Sequence, residues 1–264
     1  MKFSIIIATH NAAKGLPKTL DSILSQIYKD YEVVVVDGAS TDGTQGLIEN
    51  YEKKFNGKLR WISEPDKGIY DAMNKGISIA KGEWLYFLGS GDVFYDIKVL
   101  SSVSDALKKE SLNVIYGNIQ WGDSNVIYGG KFSKFKLIRK NICHQAIFFN
   151  KKVFERLGKY DTKYKTGADY VFNIIWFNDK GIESKYIKKT IAIYDVGGYS
   201  AKNYDSEFWP ERKTMIKRYF PAHIIILSWV YTLFCRLFTV FGFLSRGDIG
   251  GLKNKIKERH NGKS

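Results

Sequence analysis

The sequence predicts an α/β fold in which a mostly parallel sheet is followed by a mixed α+β half and an apolar helical tail. Over about the first ninety residues, short apolar runs alternate with helical patterns, which is typical of βαβ units with right-handed crossovers. After residue 97 this alternation stops and hairpin patterns appear. Near the C-terminus, residues 221–244 carry only His223 and Arg236 as readily charged side chains.

In the first half, four strand patterns alternate with three helical patterns. Each strand pattern is a largely apolar, often β-branched run, as expected for strands that are buried on both faces. The predicted strands are residues 3–8, 31–37, 59–63 and 84–88, and the predicted helices are residues 16–27, 43–55 and 69–80. Thr41 or Asp42 is suited to cap the second helix.

The second half mixes strands and helices less regularly. Two strands, in NVIYGNIQW and NVIYGG, flank a turn at Gly122-Asp123-Ser124. The remaining predicted elements are helices at 100–107, 151–157 and 170–178, a strand at 145–150, and two strands near 184–196. We therefore divide the chain into residues 1–97 and 98–220, two halves of one domain, and a tail of residues 221–264.

Charge and cysteine content restrict the class of partner and the compartment. The 264 residues include 41 Lys and Arg against 27 Asp and Glu, a formal charge of +14, which favours nucleic acid, phosphorylated substrates or an anionic membrane. Cys143 and Cys235 match no zinc or redox spacing, and we expect a reducing cytoplasmic setting. The apolar run at residues 5–8 is too short for a signal peptide.

Polar or glycine-rich residues follow each of the four predicted parallel strands. In open α/β sheets, ligands bind at the carboxyl edge of the strands, so these loops predict one shared site. The residues concerned are Thr9, His10, Asn11, Asp37, Gly38, Glu64, Pro65, Asp66 and the Gly89-Ser90-Gly91-Asp92 segment. The loop after the first strand, THNAAKG, lacks the glycine pattern of dinucleotide-binding folds, and the chain contains neither a P-loop nor a Gly-x-Ser-x-Gly motif.

The YFLGSGD segment ends a buried strand with two glycines and one acid. A carboxylate at a strand tip suits Mg²⁺ or Mn²⁺ held together with substrate phosphates, and the glycines would admit a diphosphate close to the backbone. The alternative is a tight turn in which Asp92 caps a helix. The residues alone leave both interpretations open.

Three stretches together resemble the inverting glycosyltransferases of family 2, whose fold is GT-A, with a Rossmann-like sheet. They are SIIIATHNAAKGLPKTLDSILSQ, YEVVVVDGASTDGT and EPDKGIYDAMNKGISIAKGEWLYFLGSGD. The resemblance is strong over residues 1–97 and loose over 98–200. Ser-Gly-Asp in place of Asp-x-Asp is similar to the subset that builds bacterial surface polysaccharides such as colanic acid and O-antigen.

The resemblance implies a nucleotide-diphosphate sugar donor, with a uridine-linked one favoured, and gives roles to matching positions. Asp92 would bind Mn²⁺ or Mg²⁺ beside Gly91, and because Ser90 stands where many relatives have Asp, we expect weaker metal binding. The implied donor contacts are Thr9, His10 and Asn11 at the base and ribose, Asp37 at uracil, Asp66 and Lys67 at base and phosphate, and Asp71 and Asn74 at the sugar.

A general base must deprotonate the acceptor hydroxyl if the reaction inverts by direct displacement. By the resemblance, Asp169 in TGADYVF is that base, although it also fits the N-cap of helix 170–178. His144 is expected at the donor–acceptor cleft as a candidate metal ligand, with a purely structural role still open. Trp121 and Trp176 suit either sugar stacking or core packing, and core packing is favoured.

The tail and the basic run at 131–140 suggest where the acceptor comes from. Residues 221–244 are long enough to span a bilayer, but Arg236 near the centre and scattered aromatics favour an interfacial helix or helical pair on an anionic membrane. A buried helix or a homodimer contact is the alternative. We expect a lipid-diphosphate-linked saccharide acceptor at the inner face of the cytoplasmic membrane, with the run at 131–140 holding its diphosphate.

Two other classes remain as alternatives. A nucleic-acid-binding module would use the +14 charge, but the strand-end acids would repel phosphates, so no nucleic acid partner is expected. A nucleotidyltransferase would share a similar sheet but usually carries a glycine-rich basic loop after the first strand, and THNAAKGLPKTL lacks that glycine density.

Overall fold

Four parallel strands form one half of the central sheet. The computed structural model describes residues 1–108, 111–197 and 204–245. The four strands are β1 (Phe3–Thr9), β2 (Tyr31–Asp37), β3 (Leu59–Ser63) and β4 (Trp84–Phe87), in the order β3-β2-β1-β4. All residues of β1, β2 and β4 are buried, which explains why consecutive positions are apolar.

Helices connect these strands and cover the sheet. They are α1 (Leu16–Leu24), α2 (Thr44–Phe55) and α3 (Ile69–Ile79). Gly76 of α3 faces Ile6 of β1, and a Cβ at this glycine would collide with the Ile6 side chain. The glycine therefore allows α3 to lie close against the centre of the sheet, next to the ends of β1 and β4.

The second half extends the same sheet with mostly antiparallel pairs. β8 (Ile147–Asn150) pairs with β4, β6 (Val114–Trp121) with β8, and β9 (Ser184–Tyr194) runs parallel to β6. The short strand β5 (Val93–Phe94) pairs with β9, and β7 (Ile127–Tyr128) pairs with β6. The helices are α4 (Val99–Leu107), α5 (Lys134–Arg139), α6 (Lys151–Leu157), α7 (Ala168–Asn178) and α8 (Phe208–Tyr219). The mixed α+β character predicted after residue 97 is confirmed.

The structure corrects several element boundaries. One long strand, β9, replaces the two strands predicted near 184–196, because β9 stays paired with β6 through irregularities of register near Asn118. The strand predicted at 145–150 begins with a 3₁₀ turn, His144–Ala146. Helix α1 ends before residue 27, because the buried side chain of Gln26 bonds the backbone of Asp96 and Leu100 instead of continuing the helix.

The chain divides into a unit of Met1–Tyr219 and a second unit of Phe220–Ser264, which is described as far as Ser245. The second unit contains one continuous helix, α9 (Ala222–Leu244), so the helical pair considered above is wrong. Its segment Ala222–Phe241 has a mean hydropathy of 2.0 and is 6% buried, and its length and composition would allow it to cross a membrane.

Candidate active site

A cavity of about 290 Å³ lies at the carboxyl ends of β1 and β4. The sequence-predicted residues that line it are Thr9, His10, Asp66, Ser90, Asp92 and His144. Thr9 is buried, and its hydroxyl has no hydrogen-bond partner among the described residues. An unpaired buried hydroxyl on a cavity wall is a position where a ligand atom supplies the missing bond.

Asp37 ends β2 but does not line this cavity. Its carboxylate is fully buried and accepts hydrogen bonds from the Ser40 backbone N–H (2.9 Å), the Ser40 hydroxyl (2.5 Å) and the Ser63 hydroxyl (2.7 Å). Asp37 therefore holds together the ends of β2 and β3 in this structure. A contact with uracil would require these hydroxyls to rearrange, and this role stays a prediction.

The loop after β3 presents one of its acids to the cavity. The Asp66 carboxylate lies against Gly38, and it accepts the Gly68 N–H at 2.9 Å. A Cβ at Gly38 would come within 2.5 Å of Asp66 Oδ2, so the glycine makes room for the acid. His10 adds a ring nitrogen, Nδ1, 2.9 Å from the Gly38 carbonyl oxygen.

Besides Asp37, four residues predicted to contact the donor do not line this cavity. Asn11, with φ +49°, receives a hydrogen bond from the Thr41 N–H and donates its own N–H to Ser40. The others, Lys67, Asp71 and Asn74, sit on the outer side of the β3–α3 loop or on α3. Both amide atoms of Asn74 pair with the Tyr160 backbone, at 2.8 and 3.0 Å.

Asp92 is the acid at the tip of β4, and it is 4% exposed. Its Oδ2 accepts the Gly89 N–H (3.1 Å) and the Gln145 side-chain amide (2.8 Å), and its Oδ1 accepts the Asp195 N–H (2.6 Å). Burial raises the pKa of Asp92 despite these bonds. Asp92 caps no helix, because α4 begins at Val99 with Lys98 as its N-cap.

The glycines of the Gly-Ser-Gly-Asp segment make room for carboxylates. A Cβ at Gly89 would lie 2.5 Å from Asp92 Oδ2, and a Cβ at Gly91 would lie 2.7 Å from Asp195 Oδ2. Gly91 also has φ +121°, a conformation that other residues rarely adopt, and its N–H bonds the Thr19 hydroxyl at 2.8 Å. These two glycines therefore allow the end of β4 to lie close to the carboxylates of Asp92 and Asp195. That they also admit a diphosphate stays a prediction.

A second cavity, of about 200 Å³, adjoins the first. Four residues line both cavities: Ile69, His144, Gln145 and Tyr194. Asp169 lines the second cavity together with Tyr70 and Asn141. The structure thus brings the predicted base to a site that shares walls with the cavity containing Asp92.

Asp169 is 8% exposed, and uncharged hydrogen-bond donors hold its carboxylate. Oδ1 accepts the Tyr70 hydroxyl (3.0 Å) and the Tyr170 N–H (2.8 Å), and Oδ2 accepts the Asn141 amide (3.0 Å). Burial, and then the charge of Asp169, raise the pKa of Tyr70 far above its ordinary value, so this phenol stays protonated and donates. Asp169 is not an N-cap, because α7 begins at Ala168 with Gly167 in that position.

His144 stands between the two acids. Its Nδ1 lies 3.5 Å from Asp169 Oδ2. A positive charge on the His144 ring would lower the pKa of Asp92. Its Nε2 is buried without a hydrogen-bond partner among the described residues. A proton on Nδ1, facing Asp169, leaves a lone pair on Nε2, which is the arrangement of a metal-binding histidine oriented by a carboxylate.

The residues present fit a Mn²⁺ or Mg²⁺ ion that is shared with a diphosphate. Asp92 offers a carboxylate and His144 an unpaired nitrogen in one cavity. In the described part of the chain, no three His, Cys, Asp or Glu side chains form a metal cluster by themselves. The coordination shell would thus depend on ligand oxygens, as is usual for Mg²⁺ at phosphate-transfer and nucleotide sites.

Asp205, at the start of α8, fixes the segment that leads into α7. Its buried carboxylate accepts backbone N–H groups of Thr166 (2.8 Å), Gly167 (3.0 Å) and Phe208 (3.0 Å). Burial by itself would raise the pKa of Asp205, but these bonds outweigh it and the pKa is lowered. The carboxylate thus ties the turn before Asp169 to a different helix.

Sequence reasoning missed the side chains that position the two acids. Asp195 had a usable signal, because it follows strand β9 and precedes Val196-Gly197, much as Asp37 precedes Gly38. Gln145 is adjacent to the predicted His144. Tyr70 and Asn141 carry no comparable signal, since their role arises from contacts between separate elements.

Known proteins resemble this chain in sequence and in fold. Residues 4–181 match the family model described as Glycosyl transferase family 2. A Mycobacterium tuberculosis protein named PGL/p-HBAD biosynthesis glycosyltransferase is 38% identical over 209 residues, which cover 78% of this chain and 82% of the relative.

Two solved structures show the same fold, GT-A. One is S. aureus TarS 1-349 in complex with UDP-GlcNAc, with a TM-score of 0.67 and 22% identity over 82% of this chain and 65% of that chain. The other is PcManGT from Pyrobaculum calidifontis in complex with GDP-Man and Mn²⁺, with a TM-score of 0.61 and 19% identity over 80% and 60%. The chain therefore spans less than two thirds of either solved chain.

Proposed function

The chain belongs to glycosyl transferase family 2 and is a glycosyltransferase. From this premise we propose that it transfers a sugar from a uridine-diphosphate donor to a lipid-linked saccharide, with inversion at the anomeric carbon. One observation carries the proposal: two adjoining cavities share His144 and Gln145, one containing Asp92 and the other Asp169. A transferase that uses direct displacement needs this separation of leaving group and base on opposite sides of the reacting carbon.

The first cavity suits the nucleotide-diphosphate donor. Thr9 offers an unpaired hydroxyl, and Asp66 and His10 offer polar atoms beside it. The carboxyl edge of a parallel sheet is the usual position for a nucleotide in such folds. TarS in complex with UDP-GlcNAc and PcManGT in complex with GDP-Man support a nucleotide-diphosphate sugar as the donor class, and the preference for uridine rests on the family resemblance.

Asp92 and His144 Nε2 are the residues that would hold Mn²⁺ or Mg²⁺. A bound cation would stabilise the negative charge that grows on the diphosphate as its bond to the sugar breaks. Ser90 lines the cavity where many relatives have an acid, so the protein contributes fewer carboxylates. Gln145 and the Asp195 N–H keep Asp92 in place with or without a ligand.

Asp169 acts as the general base in the second cavity. It removes the proton of the acceptor hydroxyl while that oxygen forms a bond to the anomeric carbon. The bond from this carbon to the diphosphate oxygen breaks, and the bonding electrons leave with the diphosphate. The Tyr70 and Asn141 donors orient the carboxylate.

The tail and the basic segment support an acceptor at the inner, anionic membrane face. Exposed apolar side chains of α9 cover about 200° of the helix, at 100° per residue, and basic residues follow at 246–263. In the run at 131–140, Lys136 is turned inward onto the Gly129 carbonyl oxygen, whereas Lys131 and Lys140 are exposed.

A nucleotide-sugar panel tests the proposal. The purified full chain is incubated with UDP-, GDP- and dTDP-linked sugars plus Mn²⁺, and the released nucleoside diphosphate is measured. We expect turnover of one uridine-linked donor and its loss in Asp92→Ala, with the exposed acid variant Asp105→Ala as the matched control. If Asp92→Ala turns over the donor as fast as the wild type, the assignment of Asp92 to a metal site is wrong. If the wild type turns over none of the donors, the proposed donor class is wrong.

A further inference from the structure

We propose that Trp121 forms the platform on which a pyranose ring of the acceptor lies while its hydroxyl meets Asp169. This inference rests on the proposed function and names the class of acceptor: a pyranoside with a face of C–H groups. Trp121 is the last residue of β6, it is 41% exposed, and it lines the second cavity with Asp169. Core packing, favoured from the sequence, is therefore wrong for Trp121, while Trp176 is 1% exposed and does pack in the core.

The Trp121 ring packs against two aromatic neighbours although the residue is 41% exposed. Trp121 and Tyr194 are register partners in the parallel pair β6–β9, and their ring centroids are 4.9 Å apart. The Tyr128 ring of β7 lies 5.9 Å from Trp121 on another side. A ring supported by two neighbours loses little conformational entropy on binding, which is the property of an anchoring aromatic at a recognition site.

The platform is also coupled to the reaction centre. Tyr194 lines both cavities, and the next residue, Asp195, donates its N–H to Asp92. A sugar on Trp121 would therefore share the second cavity with Asp169 and with Tyr194, which belongs to the wall common to both cavities. This is where the acceptor hydroxyl must sit to reach the anomeric carbon.

The remaining wall of the cavity favours a sugar over an aromatic or alkyl group. Asn141, Thr166 and Lys165 line the same cavity as Trp121. A cavity that has an aromatic ring together with hydroxyl and ammonium groups matches a pyranose, which has C–H groups on its faces and hydroxyls at its edge. An aromatic aglycone would offer no hydrogen-bond acceptor to the Lys165 ammonium or the Thr166 hydroxyl.

Kinetics with simple acceptors test the platform. The probes are octyl pyranosides of neutral hexoses and 6-deoxyhexoses, with 1-octyl glycerol as the ligand that has the same tail but no ring. With the active donor at a fixed concentration, we expect Trp121→Ala to raise the acceptor KM about tenfold or more, as loss of one aromatic stacking partner does, and Trp121→Phe to raise it less. The donor KM should change much less than the acceptor KM.

A matched variant and two further readouts separate binding from folding. Trp209→Ala removes a similarly exposed tryptophan, 47% exposed on α8, that lines neither cavity, and it should leave both KM values unchanged. Thermal unfolding of each variant reports folding. Saturation-transfer NMR of the wild type should mark the C–H protons of the pyranoside ring, and this signal should fall in Trp121→Ala.

Each remaining outcome counts against the platform. An unchanged acceptor KM in folded Trp121→Ala overturns it, as does an equal KM rise for 1-octyl glycerol. If the wild type consumes its donor in an Asp92-dependent manner but neither binds nor glycosylates any pyranoside, the acceptor class is wrong and the proposed function stands. If the wild type turns over no donor, the proposed function itself fails.

Discussion

Asp92 and Asp169 are buried acids whose observed hydrogen-bond donors are neutral. Gln145 and backbone N–H groups bind Asp92, and Tyr70 and Asn141 bind Asp169. Neutral donors orient a carboxylate without cancelling its charge, whereas a lysine or arginine partner would. The proposed roles, a cation at Asp92 and the acceptor proton at Asp169, therefore meet no lysine or arginine among these donors.

Asp169→Asn tests the assignment of the base. The amide keeps the size of the side chain but cannot take a proton, so we expect the transfer rate to fall by about 10²–10⁴-fold. Binding of UDP without metal, measured by calorimetry, should remain within about threefold, because Asp169 does not line the donor cavity. Asp105→Asn makes the same chemical change at an exposed position of α4 and should retain activity. A transfer rate within tenfold of wild type in Asp169→Asn would assign the base elsewhere.

At the level of elements, Glu32 explains how an acid fits within the buried strand β2. Its 2% exposed carboxylate accepts the Ser4 hydroxyl of β1 (2.6 Å), the Arg60 guanidinium of β3 (2.6 Å) and the N–H of Lys81 before β4 (2.6 Å). One side chain thus links four consecutive segments of the sheet. It lies at the end of the strands opposite the cavities, so its role is stability.

Glu32→Gln is expected to destabilise the fold in a pH-dependent manner. Burial alone would raise the pKa of Glu32, but hydrogen bonds from Ser4, Arg60 and Lys81 and the Arg60 charge outweigh it and lower the pKa below the ordinary 4.5. The ionised form therefore contributes stability that is fully present above pH 4.5 and is lost as the pH falls through the lowered pKa. Near pH 7 we expect Glu32→Gln to lose about 3 kcal/mol of unfolding free energy.

Urea unfolding of wild type, Glu32→Gln and the exposed control Glu49→Gln checks this at several pH values. The difference between wild type and Glu32→Gln should shrink as the pH is lowered below 4.5, while Glu49→Gln should follow the wild type. A difference that stays constant, or grows, in acid would show that the ionised form of Glu32 does not stabilise the sheet.

At the scale of the whole molecule, the C-terminal unit is the part whose surface does not suit water. Phe234, Phe238 and Phe241 are 65–71% exposed on one side of α9. Ser228, Thr232, Cys235 and Thr239 fall on the opposite side of the helix, at 100° per residue. Exposed apolar area on this scale marks an interaction surface.

Liposome flotation tests the membrane assignment on the full chain. We expect wild type to float with vesicles containing anionic lipid, and the triple variant Phe234→Ser, Phe238→Ser, Phe241→Ser to bind at least tenfold more weakly. Each phenylalanine loses about 2 kcal/mol of burial in the bilayer. Thr232→Ser with Thr239→Ser, on the opposite face, is the control. Equal flotation of the triple variant, or a phenylalanine-dependent dimer in solution without flotation, would favour the buried-helix or homodimer alternative.

Local patterns in the sequence were sufficient for the fold and for part of the site. Consecutive apolar residues identify β1, β2 and β4, because a strand covered on both faces has no polar side. The polar residues that follow β1, β3 and β4 correctly place Thr9, Asp66 and Asp92 in one cavity, because parallel strands end at one edge. The same rule offers no means of separating Asp37, which does not line that cavity, from the acids that do.

The tertiary structure decided which residues complete the site. Gln145 reaches Asp92 across 53 residues, Asp195 across 103, and Tyr70 reaches Asp169 across 99. In the tertiary structure Trp121 is exposed and Trp176 is buried, although no local sequence pattern distinguishes these two tryptophans. Strand periodicity and strand-end chemistry can be recognised from a few adjacent residues. The burial of a side chain and its hydrogen-bond partners instead depend on which elements pack together, and therefore on contacts between residues far apart in the sequence.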